Sequence, residues 1–262
     1  MHDAPLNQAM GLLGLAAPLS PQLLAVVSHG DARTEQPLLW QLSSALSELG
    51  YHVTVLDATV SETLDNTGLL QLLDYPFGHA MPGEDGPAWN VLPAALGLQS
   101  LCALGARPAH SLQRLGQAFQ GNGVVVLYAG VDPLVRLLGN TDLRPLLSVS
   151  GEKSSLLTSY LALKRLLRKG RLEPTILNMM PGGQTGSAAG VAHALRECAK
   201  NFLGYELNAI RIDPAQAEAQ VDAAMRRLVT RLLEHALPLQ TEQAQPGLGA
   251  QRTGYREASR SH

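Results

Sequence analysis

Residues 23–57, LLAVVSHGDARTEQPLLWQLSSALSELGYHVTVLD, carry the strongest structural pattern in the chain. The apolar run at 23–28 is typical of a strand buried on both faces. Apolar residues then recur at helical spacing over 38–49, Gly50 closes the helix, and residues 53–57 predict a second strand. A strand, a helix and a strand of this size form one βαβ unit, which requires a parallel strand pair.

The same alternation continues along the rest of the chain. Further strands are predicted over residues 123–128, 146–150, 175–179 and 205–212, and further helices over residues 155–167, 187–202 and 214–237. The region 59–122 has a weaker pattern, with a loop at 83–87, a short strand near 90–92 and a helix near 112–119. Repeated alternation predicts an α/β fold, a doubly wound, mostly parallel sheet with helices on both faces.

Three parts of the chain are distinguished by composition. Residues 1–20 combine a short apolar helix at 7–15 with a proline-containing linker, which fits a segment that docks into a partner. Residues 21–237 form the α/β domain. Residues 238–262 are polar, lack periodicity and are expected to form a disordered tail.

Composition excludes several classes of protein. The chain has 262 residues, 45% hydrophobic and 16% charged, which is enough for a packed core. The net charge of −2 gives no basis for nucleic-acid binding, and the two separated cysteines form neither a disulfide scaffold nor a zinc cluster. The histidines are scattered, so no metal site is predicted. With no secretory signal and no apolar run of about 20 residues, we expect a cytoplasmic protein.

The first strand-to-helix turn is the usual phosphate cradle of such a sheet. A nucleotide cradle needs glycines, a lysine and a hydroxyl that binds magnesium. This turn has one glycine, no lysine and two carboxylates, Asp31 and Glu35, which would repel a polyphosphate. The cradle residues are His29, Gly30, Arg33, Thr34, Glu35 and Gln36.

Several segments of the chain resemble the MinD/ParA-type P-loop ATPases, in particular the FlhG/FleN group of flagellar-number regulators. The strand ending Val26-Val27-Ser28 resembles the one that leads into the family's Lys-Gly-Gly-Val-Gly-Lys-Thr loop, and residues 42–57 resemble its first helix and second strand. Residues 160–167 resemble the family's Tyr-Ala-Leu-Ile-Lys-Leu-Leu helix, residues 176–179 its Leu-Val-Val-Asn-Met strand, and residues 202–204 its Phe-Leu-Gly. The resemblance implies that Asn178 faces the adenine.

The N-terminal segment resembles a motif outside the ATPase fold. Residues 7–12, NQAMGL, are similar to the Asp-Gln-Ala-x-x-Leu-Arg motif of FlhG-type proteins, which contacts and stimulates the flagellar GTPase FlhF. Asn7 stands where the family has Asp, and Leu13 where it has Arg, and both departures remove charge. The resemblance implies an FlhF-like GTPase as partner, bound by Asn7, Gln8, Ala9, Gly11 and Leu12.

The ATPase residues of the family are replaced throughout. The family's signature lysine corresponds to Gly30 and its phosphate-binding lysine to Glu35. Its magnesium-binding hydroxyl corresponds to Gln36, and its water-positioning acid to Thr59, although Asp57 remains. The Walker B acid falls on Leu127 or Tyr128. Losing these groups together removes charge neutralisation and the metal site, so we expect a pseudo-ATPase with no cofactor.

Alternative functions remain open at this point. One is an ATP-dependent switch with an unorthodox loop, in which Arg33 replaces the lysine and Asp57 holds magnesium; only this alternative requires ATP and Mg²⁺. Another is a pseudo-ATPase of pilus, secretion or cellulose-synthesis machinery. A homodimer, or a heterodimer with an active paralogue, is compatible with either.

Three local features have structural and functional interpretations. The helix over residues 221–237 either packs on the sheet, which we favour, or lies on a membrane surface, and membrane contact is at most peripheral. Residues 182–187, GGQTGS, are interpreted as a capped loop rather than an anion site. Asp57 and Asn178 are interpreted as turn caps, and His29 as a solvated loop histidine.

Overall fold

The structure is a computed structural model, and it describes residues 20–74, 89–103, 106–119, 123–179, 187–207, 209–213 and 217–239. The predicted N-terminal helix, its partner-binding residues, the 83–87 loop, the 182–186 part of the glycine-rich turn and residues 240–262 lie outside these ranges. The strands are β1 Gln22–Ser28, β2 His52–Asp57, β3 Trp89–Pro93, β4 Gly123–Gly130, β5 Leu146–Val149, β6 Thr175–Met179, β7 Ala209–Ile212 and β8 Leu237–Pro238.

Eight helices connect these strands in the described ranges. They are α1 Ala32–Glu48, α2 Leu69–Asp74, α3 Ala95–Leu101, α4 Pro108–Ala118, α5 Val131–Leu138, α6 Lys153–Arg165, α7 Ser187–Cys198 and α8 Glu218–Glu234. Helices α6 and α7 each continue into one wide turn, Leu166–Gly170 and Ala199–Leu203.

The strands form one sheet in the order β3-β2-β4-β1-β5-β6-β7, and β8 pairs with β1. Every pair is parallel except β1–β8. The central strand β1 lies between β4 and β5, and Ser28 at its end lies beside Gly130 at the end of β4. The predicted doubly wound, mostly parallel sheet is therefore confirmed.

Two apolar cores separate the sheet from its helices. Alternate residues of β1 enter different cores, because successive strand side chains point to opposite faces. Leu23 and Val27 pack with apolar residues of α2 to α7, whereas Leu24 and Val26 pack with those of α1 and α8. Both faces of β1 are buried, as its continuous apolar sequence predicted.

Helix α8 packs on the sheet. Its residues Met225, Leu228, Val229 and Leu232 are buried against the same face as α1. The favoured interpretation of this segment is thus the observed one. No helix in the described part of the chain has the length and apolarity required to cross a bilayer.

Several element boundaries differ from the sequence prediction. The first helix begins at Ala32, earlier than the apolar spacing from residue 38 indicated, and it contains Pro37. The last parallel strand is confined to Ala209–Ile212. Past α8, Leu237–Pro238 pair with β1 and Leu239 is buried, so packed structure extends two residues past the predicted boundary at 237.

A buried carboxylate that the sequence analysis missed fixes the loop after β2. Glu62 is 5% exposed, and its two carboxylate oxygens accept hydrogen bonds from the backbone N–H groups of Leu70 (3.1 Å), Leu96 (2.8 Å) and Gly97 (2.8 Å). These donors lie at the starts of α2 and α3, where backbone N–H groups lack partners within the helix. Glu62 therefore joins two helices that follow different strands.

The Glu62 contacts predict a large loss of stability when the acid is replaced. In Glu62→Gln the amide NH₂ faces backbone donors, so at least one hydrogen bond is lost in a buried site. We expect the free energy of unfolding to fall by about 2–3 kcal/mol. The matched control is Asp65→Asn, an exposed residue of the same loop, which should change it by less than about 0.5 kcal/mol. Urea denaturation measures both, and equal effects would contradict the role of Glu62.

Candidate functional site

The turn between β1 and α1 lies at the carboxyl edge of the sheet, where ligands of open α/β sheets bind. Gly30 has φ +95°, a conformation that favours glycine, and it separates His29 from Asp31. The backbone N–H groups of His29 and Asp31 both donate to Oε1 of Glu35, at 3.0 and 3.1 Å. The N–H groups that a phosphate cradle would offer to a ligand are thus directed at a side chain of the same protein.

Glu35 reaches this position from the first turn of α1, where the helix N-terminus favours negative charge. Its side chain is fully buried, and its second oxygen accepts a hydrogen bond from the hydroxyl of Tyr128. Three donors therefore surround the carboxylate, which is the condition under which a buried acid is tolerated. The Glu35 carboxylate thus lies within the turn between β1 and α1.

Tyr128 lies near the end of β4, at one of the two positions expected to correspond to the Walker B acid. Burial raises the pKa of Tyr128, and its hydrogen bond to Glu35 raises that pKa further. The phenol therefore stays protonated and acts as a donor. The Tyr128 phenol and the Glu35 carboxylate are thus in direct contact between β4 and α1.

His29 is not a solvated loop residue, which corrects the sequence interpretation. Its side chain is 2% exposed, with Nε2 2.9 Å from the backbone oxygen of Ser148 and Nδ1 3.0 Å from Oγ1 of Thr158. Since Ser148 O only accepts, Nε2 carries the proton of that hydrogen bond. The imidazole, which lies 3.4 Å from Glu35 Oε1, links the cradle to β5 and α6.

The other cradle residues contribute less. Arg33 and Gln36 are exposed, Thr34 is half-buried, and Arg33 makes no ion pair with Glu35 in the described part of the chain. Oδ2 of Asp31 is buried and finds no hydrogen-bond partner among the described residues.

Asp57 and Asn178 lie at the same edge of the sheet, at or near the ends of β2 and β6. Oδ1 of Asp57 accepts from the backbone N–H (2.9 Å) and hydroxyl (2.6 Å) of Thr59, so this carboxylate caps the turn that follows, as expected. Asn178 is 5% exposed, and its Oδ1 has no partner among the described residues, so the expected turn cap is not seen through this atom. No group of three or more His, Cys, Asp or Glu residues suitable for a metal occurs in the described ranges.

Part of this site can be predicted from the amino-acid sequence. The turn and its acids were identified because a strand, one glycine and a helix start are local patterns. In the sequence, Tyr128 marks only a position where the expected acid is absent, and no pattern distinguishes Ser148 or Thr158. Their contacts to Glu35 and His29 join residues 93 to 129 positions apart, so no local signal predicts them.

Solved structures share this fold at low sequence identity. A Cyanothece McdA variant in complex with ATP matches with a TM-score of 0.56 and 15% identity, over 85% of this chain and 100% of that chain. A plasmid partition protein from Borrelia burgdorferi matches with a TM-score of 0.57 and 9% identity, over 81% and 99% of the two chains.

A third match is a biosynthetic enzyme. Cobyrinic acid a,c-diamide synthase from Mycobacterium smegmatis, with bound ADP and magnesium, has a TM-score of 0.54 and 16% identity over 82% of this chain and 95% of that chain. No family model and no curated protein matches the amino-acid sequence. The fold is that of the MinD/ParA type of P-loop ATPases.

The hydrogen bond from Tyr128 to Glu35 has a measurable contribution to stability. Tyr128→Phe removes one donor from a buried carboxylate, so we expect the free energy of unfolding to fall by about 1.5–3 kcal/mol. Tyr160→Phe is the control, because Tyr160 packs on the core and its hydroxyl makes no side-chain hydrogen bond within the described residues. It should change stability by less than about 0.5 kcal/mol in the same urea titration. Similar losses in both variants would show that the Glu35 contact is unimportant.

Proposed function

We propose that this protein is a pseudo-ATPase that regulates flagellar biosynthesis and flagellar number through protein contacts. The observation that carries the loss of nucleotide binding is the Glu35 carboxylate, which accepts the N–H groups of His29 and Asp31. A phosphate cradle works by presenting such groups to a ligand. Here they are already satisfied by an internal anion.

Electrostatics oppose a nucleotide in the same place. Two unit charges about 4 Å apart repel by about 4 kcal/mol at the effective dielectric typical of protein sites, and a triphosphate carries several charges. To admit it, Glu35 would have to leave the cradle. This would separate the carboxylate from the Tyr128 hydroxyl and expose or orphan three donors.

The residues present do not fit ATP and magnesium. Glu35 stands where the resemblance places the phosphate-binding lysine, and Arg33 is exposed and makes no ion pair among the described residues. Asp57 already accepts two hydrogen bonds from Thr59. Among the described residues, the turn therefore has no lysine that would neutralise phosphate and no cluster of oxygen ligands for the metal, so the proposal assigns no hydrolytic step to this chain.

The flagellar part of the proposal rests on the resemblance of residues 7–12 to the FlhG-type motif. The partner proposed is an FlhF-like GTPase, contacted by Asn7, Gln8, Ala9, Gly11 and Leu12. In the family, ATP held between subunits drives dimerisation. A protein with a filled cradle is therefore proposed to be a monomer, or to assemble with itself or an active paralogue independently of nucleotide.

A titration with a fluorescent ATP analogue tests the filled cradle. We expect no saturable binding up to about 1 mM nucleotide with Mg²⁺, because the anion site is occupied. The variant Glu35→Ser empties the cradle and should show weak binding, whereas Glu48→Gln, an exposed acid at the end of the same helix, should not. Fluorescence anisotropy measures binding, and light scattering measures mass with and without ATP. Saturable, magnesium-dependent binding or ATP-dependent dimerisation of the unmodified protein would overturn the pseudo-ATPase proposal.

A binding assay with a purified FlhF-like GTPase tests the partner. Leu12→Asp places a charge in the motif and should weaken binding by at least about tenfold, because an apolar contact becomes a buried charge. His2→Ala, outside the motif, should leave binding and GTPase stimulation unchanged. Equal binding by all three proteins would remove the flagellar assignment while leaving the nucleotide result untouched, and would favour another machine.

A further inference from the structure

A cavity opens at the carboxyl edge of the sheet, beyond β2, β3 and β4. It has a volume of about 800 Å³ and lies among α3, the start of α4 and α5. It shares no residue with the cradle. Cavities of roughly 300–1,000 Å³ at this edge of an α/β sheet are the common sites for small molecules.

The walls of the cleft are mainly apolar. Leu98 and Leu101 come from α3, Pro108 begins α4, and Pro133 and Leu137 belong to α5. Burial of apolar ligand surface against such side chains is favourable by about 25 cal/mol per Å². The cleft therefore favours a ligand with an apolar body.

One cation in the wall has no carboxylate partner among the described residues. Asp132 and Arg136 both line the cleft and lie four residues apart on α5, a spacing that ordinarily allows an ion pair. The carboxylate of Asp132 instead pairs with Arg165 of α6, with an N–O distance of 3.3 Å. Arg136 makes no ion pair within the described ranges.

The thiol of Cys102 belongs to the apolar wall. Its Sγ donates to the backbone oxygen of Pro133 at 3.7 Å. Burial raises the pKa of this thiol, and the charge of the neighbouring Arg136 opposes that shift with a smaller effect. A protonated thiol is a poor nucleophile, so the cleft is suited to binding rather than to covalent chemistry.

We propose that this cleft binds an amphiphile with an apolar body and one anionic head group, a carboxylate or a phosphate, which pairs with Arg136. A guanidinium presents parallel N–H donors that match either head group. Arg165 is a positioning residue: by holding Asp132 it keeps Arg136 available. This proposal does not depend on whether the turn between β1 and α1 binds a nucleotide.

The test uses the full chain and a dansylated undecanoate, whose fluorescence rises in an apolar site. We expect saturable binding that dodecanoate or dodecyl phosphate displaces and that dodecyltrimethylammonium does not. The more effective of the two anionic competitors identifies the head group. Arg136→Gln should weaken binding by at least about tenfold, the value of one charge-assisted pair. Arg114→Gln, which removes an exposed charge from α4, should leave it unchanged.

Three further variants separate a specific ion pair in the cleft from a general effect of charge. Arg165→Gln frees Asp132 to pair with Arg136 and should weaken binding, whereas Asp132→Asn removes the competitor and should not weaken it. Gln99→Trp, at the exposed rim of the cleft, should block the probe without removing charge. Thermal denaturation checks that each variant is folded. Absence of saturable binding at about 100 μM probe, or equal binding by the Arg136 and Arg114 variants, overturns the proposal.

Discussion

The hydrogen bonds to the Glu35 carboxylate are the interactions on which the edge of the sheet at the C-terminal ends of its parallel strands depends. It accepts hydrogen bonds from the turn after β1 and from Tyr128 of β4, and it belongs to α1. A charged group in this position is costly to bury unless donors surround it. Once it is buried with its donors, the turn, the helix and the neighbouring strand are held in one arrangement. The same donors are then withdrawn from any external anion.

Glu62 has a comparable role at the same edge of the sheet, where its carboxylate accepts hydrogen bonds from backbone N–H groups. Helices α2 and α3 begin there with unpaired N–H groups, and one carboxylate satisfies three donors at and near these helix starts. The backbone also approaches closely here: a Cβ at Gly68 would clash with the backbone oxygen of Pro93. Side-chain carboxylates thus occupy two positions where backbone N–H groups converge, one in the turn after β1 and one in the loop after β2.

Much of the architecture was predictable because it follows from short-range patterns. The buried strands were recognised from continuous apolar runs such as residues 123–128, and α8 from apolar residues at helical spacing that do pack on the sheet. The predicted ends of strands were less accurate where no residue type marks the end of the element. The strand predicted from residue 205 forms only from Ala209, and Leu237–Pro238 continue the sheet because β1 offers a pairing edge there.

The sequence by itself determined most of the alternation of strands and helices along the chain, the parallel sheet and the absence of a lysine from the first turn, but it did not predict α2, α3 or α5. Periodicity and residue type are local properties, so they can be read without coordinates. Only the tertiary structure decided where the polar side chains of the site point. Glu35 fills the cradle because Tyr128, 93 residues away, supplies a donor, and His29 is buried because Ser148 and Thr158 supply partners. Burial of a polar group requires such partners, and here several of them come from distant strands and helices.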